Sequence, residues 1–185
     1  ERDFTDPNLS QNDLQNINNV IKTGDIFGYN YDIHINKNEA FGEINFNKKH
    51  IESFAGLTLS NTSFWRNGHM QNGRFSENSL GESEKQNFSN YGLKLGLLYK
   101  ITGRHLISFN STYRTEAPYA RNAYVSPRTR DQLVDNLKSI EIISGDINYI
   151  IRYPFLKARI TGFYTQINDQ TWSRSFYHDE YRTLS

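Results

Sequence analysis

The sequence predicts an antiparallel all-β fold of the membrane-barrel kind, and three observations carry the prediction. Apolar residues recur at every second position over most of the chain. The alternating segments reach about 14 residues, where a strand of an ordinary globular protein has about 5–6. Tight and long connections alternate along the chain, which places all tight turns at one end of the sheet and all long loops at the other.

The elements follow in order. Residues 1–27 form a polar segment in which Leu14, Ile17 and Ile21 fall at helical spacing, with Val20 beside them. Ser10 and Asp13 give a weak capping box and Gly24 a stop, so a short loop helix is expected here. Residues 28–185 carry the strands. Tyr29, Tyr31, Ile33 and Ile35 alternate with polar residues, and Phe41, Ile44 and Phe46 mark a second, less regular strand. Ile51, Ala55, Leu57 and Leu59 share a face in 51–65, and Tyr91, Leu93, Leu95, Leu97, Tyr99 and Ile101 do so in 88–101. Strands continue over 104–115, 139–153 and 155–168, giving six or seven in all. Asn47-Lys48-Lys49-His50, Thr102-Gly103-Arg104 and Pro154 mark tight turns, whereas 66–88 and 115–138 are long and polar.

A soluble sandwich does not require that asymmetry, whereas an outer-membrane barrel has short periplasmic turns and long extracellular loops. In the strand Tyr91-x-Leu93-x-Leu95-x-Leu97-x-Tyr99 leucines are bracketed by tyrosines, which is an apolar band with an amphipathic ring at each rim. Lys94, Lys100, Lys157 and Arg159 lie on the opposite face, as expected beside a wet lumen.

Composition excludes several other classes. Among 185 residues the apolar share is 36% and the mean hydropathy −0.73, yet 12 Phe, 12 Tyr and 2 Trp are incompatible with a disordered chain. No apolar run approaches the ~20 residues of a transmembrane helix. A net charge of +1 gives no electrostatic footprint for nucleic acid. The absence of cysteine removes disulfides, thiolate metal sites and cysteine nucleophiles. The histidines at 34, 50, 69, 105 and 178 show no metal-binding spacing, and Glu82/Glu84 and Asp179/Glu180 sit in polar loops without a pocket to raise a carboxyl pKa. Asn61 and Asn110 open glycosylation sequons, but inside expected strands. No nucleotide or hydrolase fingerprint occurs. No enzyme, metal or cofactor is expected.

Asn90-Tyr91-Gly92-Leu93-Lys94-Leu95-Gly96, the Thr102-Gly103-Arg104-His105 turn, and Ser111-Thr112-Tyr113-Arg114-Thr115-Glu116-Ala117-Pro118-Tyr119 together resemble the barrel of TonB-dependent outer-membrane receptors, most closely those of Bacteroidetes-type bacteria. Ala40-Phe41-Gly42-Glu43, Trp65-Arg66-Asn67-Gly68 and Ser144-Gly145-Asp146-Ile147-Asn148-Tyr149 match the same stretch of barrel in order. The resemblance covers about residues 28–177 and rests on soft strand-and-turn patterns. It implies a 22-stranded barrel with a plugged lumen, of which this chain would be an internal or C-terminal-half fragment, since it opens at Glu1 with no plug or TonB box and ends without an aromatic strand terminus. It further implies residence in the bacterial outer membrane, contact with outer-membrane lipid, coupling to the TonB complex through the plug, and a surface lipoprotein as a partner. The implied function is capture and import of a nutrient: siderophore, cobalamin, glycan or peptide. A partial barrel leaves two open edges, which need the rest of the wall.

The loops carry the candidate ligand-binding residues: Trp65 and Arg66 in one, Tyr119, Arg121, Tyr124 and Arg128 in another, and Trp172 near the end. Aromatics beside arginines suit sugar stacking or capture of an anionic ligand by Arg121, Arg128 and Arg130. Interface anchoring by the tryptophans and solvated arginines explain the same residues. Two alternatives stand beside the receptor: a secreted all-β carbohydrate-binding module, and a complete eight-stranded barrel, enzyme or porin.

Overall fold

The computed structural model describes residues 6–172, 175–177 and 182–184. Six long strands form one antiparallel meander: β1 (Tyr31–Lys48), β2 (Ile51–Gly68), β4 (Gln86–Lys100), β5 (His105–Glu116), β6 (Ile140–Arg152) and β7 (Lys157–Asn168). A two-residue β3 (Gly81–Glu82) pairs with the end of β2, and a separate ladder joins β8 (Ser175–Tyr177) to β9 (Arg182–Leu184). Among the described residues the sheet is open, with β1 and β7 each presenting an unpaired edge.

Tight turns link β1 to β2, β4 to β5 and β6 to β7. In the first, Lys49 takes a positive φ of 43°. In the second, Thr102 Oγ1 accepts from the backbone N–H groups of Arg104 and His105. In the third, Tyr153 and Leu156 exchange backbone hydrogen bonds around Pro154. The connections over residues 69–85 and 117–139 lie at the opposite end, with the segment that leads into β1.

Two sequence expectations are corrected. The helix expected around Leu14, Ile17 and Ile21 does not form; among the described residues of that segment the one helical turn is a 3-10 turn at Pro7–Ser10. The Asp13 carboxylate instead accepts from the Gln15 N–H and the Asn16 amide, bonds that compete with a helical ladder, and Asn18 stands at a positive φ of 57°. Ile17 and Val20 are exposed, so no packing rewards a helical stripe. The short α-helix α1 (Ala120–Ala123) lies in the β5–β6 connection instead.

The second correction is that the alternating residues Tyr31–Ile35 and Phe41–Phe46 do not form two strands but belong to one, the 18-residue β1, which begins after Tyr29. Its apolar residues change face partway along. Tyr31, Ile33 and Ile35 share the face of Phe64 and Arg66, whereas Ile44 and Phe46 share the face of Leu57 and Leu59. β2 and β4 switch in the same sense, with Phe64 and Phe88 on one face near the long loops and Leu57, Leu59 and Leu93–Leu97 on the other nearer the turns. The parity switch marks where the surroundings of the sheet change, without a break in the ladder.

Burial on the long strands is one-sided. Every buried position of the long strands lies on the face opposite Leu93: Thr62, Arg66, Gly68, Asn90, Gly92, Gly96 and Asn148, which are polar or glycine, and the apolar Phe64, Leu106 and Ile140. The long connections fold over the loop end of this face, which is therefore the inner one. Polar groups there satisfy one another across strands: Asn110 donates to Asp146 at 2.9 Å, Thr161 donates to Asn148 at 2.7 Å, and Lys100 pairs with Glu52. On the outer face Leu93, Leu95 and Leu97 remain 44–53% exposed, and among the described residues no second sheet covers them. Tyr91 and Tyr113 lie together at one rim of this band with ring centroids 5.7 Å apart, while Tyr99 and Tyr149 lie at the other.

Candidate functional site

The long connections fold onto the inner face at the open end of the sheet. Phe64 of β2 and Phe88 of β4 stack at 5.7 Å, and Tyr124 meets Phe64 edge-on at 6.3 Å. Ala120, Ala123 and Tyr124 of the β5–β6 connection complete this small core, with Ile33, Leu133 and Leu137 packed around it. The connection is itself a small hairpin, in which Val125 donates to Gln132 O and Val134 donates to Ala123 O. It therefore roofs the inner face.

Arg66 locks the roof. It projects from β2 toward the roof, is 2% exposed, and donates from Nε to Pro127 O at 2.7 Å and from Nη1 to Ser79 O at 2.8 Å. One planar guanidinium thus holds both long connections, which a single-donor cation cannot do with the same geometry. Its backbone is tied as well, because Arg66 N donates to Ser83 Oγ at 2.9 Å and Ser83 N returns a bond to Arg66 O at 2.8 Å. The Tyr124 hydroxyl meets Ser83 Oγ at 3.0 Å, and burial pushes the Tyr124 phenol above its ordinary pKa. Asp131 N donates to Asn78 O across the same boundary.

The segment before β1 packs against the roof. Leu14 N donates to Gln71 O and Gly73 N to Gln11 O. Partial burial opposes the charge of Asp13, but hydrogen bonds from Asn16, Gln15 and Gln71 outweigh it and hold this carboxyl below its ordinary pKa. Gly73 permits the contact, since a Cβ there would lie 1.9 Å from Asn8 O.

The residues singled out from sequence occupy different environments. Arg66 and Tyr124 are interior and employed in holding the loops. Trp65 is on the outer face, stacked on His34 at 5.1 Å with Lys85 Nζ 4.4 Å above its ring. Arg128 lies over Tyr29 at 4.9 Å, and Arg130, half-buried, over Phe75 at 4.4 Å. Arg121 and Trp172 are exposed. The side chains of Arg174, Tyr177 and His178 lie outside the described residues. Tyr119 is 68% exposed and borders an open groove of about 250 Å³ between β1, β2 and the start of the roof. Tyr119 and Trp65 therefore serve opposite faces.

Sequence reasoning noted Pro127 as stiffening its loop but missed its carbonyl as an acceptor, and missed Ser79 and Ser83, which receive the other Arg66 and Tyr124 contacts; a serine in a polar loop carries no local sign of burial. It also missed the inner wall of the groove, formed by Ile35, Ser60 and Thr62 on strands. Among the described residues no group of three or more His, Asp or Glu side chains is placed to hold a metal ion. No known family model matches the chain, and neither a curated protein nor a solved structure matches it.

Proposed function

We propose that this chain forms part of the wall of a TonB-dependent outer-membrane receptor, which captures a nutrient at the cell surface and admits it with energy delivered by the TonB complex. The observation that carries the reading is the one-sided burial: every buried position of the long strands, Arg66, Asn90 and Asn148 among them, lies on the inner face, while a band of Leu, Ile, Phe and Tyr stays uncovered on the outer one. In water such a contiguous apolar surface is a liability; in lipid it is the favourable arrangement. From Tyr91 to Tyr99 the band runs about 26 Å along β4, or roughly 20 Å in height at a tilt of about 40°, near the ~25 Å of an outer-membrane barrel. The two unpaired edges fit a wall continued by further strands on both sides. In this reading the tight turns are periplasmic, the roof is extracellular, and the work is binding and transport without a covalent step.

The absence of cysteine makes the test direct. Single cysteines are introduced at Leu93, Leu95 and Phe109 on the outer face, and at Lys94 and Ser108 on the inner face, of the complete protein in its membrane. The outer three are expected to react with a lipid-soluble maleimide and resist a charged one, and the inner two to react with the charged reagent. Equal reaction of all five with the charged reagent overturns the proposal.

A further inference from the structure

We propose that the groove beside Tyr119 is a subsite for one ring of a neutral, polyhydroxylated ligand, such as a hexose unit of an oligosaccharide. This deepens the receptor reading and rests on it. The groove opens where the polar inner wall meets the roof. Its lining combines apolar Ile35, Phe64 and Pro118 with the hydroxyl-bearing Ser60 and Thr62. The Tyr119 ring stands exposed at the mouth. At about 250 Å³ it lies just below the ~300 Å³ at which pockets for drug-sized ligands begin, so it takes one ring of a larger molecule.

Charge decides between ligand classes. The groove is lined by one cation, Lys37, and one anion, Glu116. Each already has a partner of opposite sign: Lys37 pairs with Glu39 at 2.7 Å, and Arg114 with Glu116 at 3.1 Å. The four charges cancel, leaving no net field to attract an anion. Of the arginines that could supply one, Arg66 is turned to loop carbonyls, Arg128 to Tyr29 and Arg130 to Phe75, and the exposed Arg121 does not line the groove. What remains is an amphipathic slot. A pyranose is amphipathic in the same way, with a C–H face suited to an aromatic ring and an apolar floor, and hydroxyl edges suited to Ser, Thr and the free lone pairs of a paired carboxylate.

The test uses the complete protein in detergent micelles, with binding read by saturation-transfer NMR and calorimetry. The probes are neutral tetrasaccharides of glucose, mannose and galactose, and the anionic tetragalacturonate as a charge control. At least one neutral probe is expected to bind, more tightly than tetragalacturonate. Tyr119→Ala should weaken that binding about tenfold, and Thr62→Val, isosteric but without the hydroxyl, several-fold. Lys48→Ala, at the turn end of β1 and far from the groove, should leave it unchanged. Failure of every neutral probe, preference for tetragalacturonate, or indifference to Tyr119→Ala overturns the subsite. The cysteine-labelling pattern separates the two readings: protected Leu95→Cys without oligosaccharide binding refutes the ligand class alone, whereas exposed Leu95→Cys refutes the receptor wall.

Discussion

Replacing Arg66 by alanine should release both long connections together. The substitution removes two charge-assisted hydrogen bonds, to Pro127 O and Ser79 O, and the cation–π contact with Tyr31 at 5.4 Å. Each such hydrogen bond contributes about 1.5–3 kcal/mol and the cation–π contact about 1 kcal/mol. Relief of the buried charge and entry of water offset part of this sum, because a sheltered guanidinium is costly to desolvate. A net loss of about 3 kcal/mol is expected, on the order of 100-fold in the opening equilibrium of the roof. Hydrogen exchange followed by mass spectrometry on the membrane-embedded protein reads this directly. Peptides from residues 69–85 and 117–139 should exchange faster by a common factor, and the β4–β5 ladder around Gly96 and Asn110 should not change. Arg66→Lys keeps the charge but has one short donor head for two carbonyls, so about a tenfold effect is expected. Acceleration of one loop alone, or of neither, would refute the account of Arg66 as a shared lock.

Gly96→Ala should destabilise the sheet by about 1–3 kcal/mol, because a Cβ there would stand 2.0 Å from Cε1 of the Phe54 ring; in a Phe54→Ala background the same change should be nearly neutral, and additive losses in denaturant midpoints would disprove the contact. Tyr124→Phe should cost about 1 kcal/mol of roof stability through the lost bond to Ser83, read by the same exchange measurement. Its phenol is raised by burial, so the roof keeps its full stability below the ordinary tyrosine pKa and loosens as pH climbs through the folded value; Tyr124→Phe should abolish that alkaline loosening. Asp13 behaves oppositely: its lowered carboxyl supports the contact with Gln71 above the ordinary aspartate pKa, and the support fades as pH falls through the folded value. Proteolysis between residues 6 and 25 should therefore increase on acidification in the parent and stay flat in Asp13→Asn.

Period-two patterning is a local property, written by the neighbours on one face of a strand, and so the sequence by itself determined the strands. Ile51–Leu59, Tyr91–Tyr99 and Ile143–Tyr153 declared both their direction and their apolar side, and the short turns at Gly103 and Pro154 declared how successive strands reverse. The candidate site was legible only as composition. Aromatics and arginines in the loops were visible, but a guanidinium in a loop, in solvent, or clamped between Pro127 and Ser79 is written with the same letter. Tertiary structure alone decided which of these Arg66 is, since its two acceptors lie 61 and 13 residues away. It also decided that Tyr31–Ile35 and Ile44–Phe46 belong to one strand with opposite apolar faces. A parity change in sequence reads as a break, whereas in space it records a sheet whose inner face is covered near its loops and whose outer face is apolar near its turns. The apolar stripe at Leu14, Ile17 and Ile21 failed for the converse reason: helical spacing specifies a helix only when a partner surface buries the stripe, and the fold leaves Ile17 and Ile21 exposed.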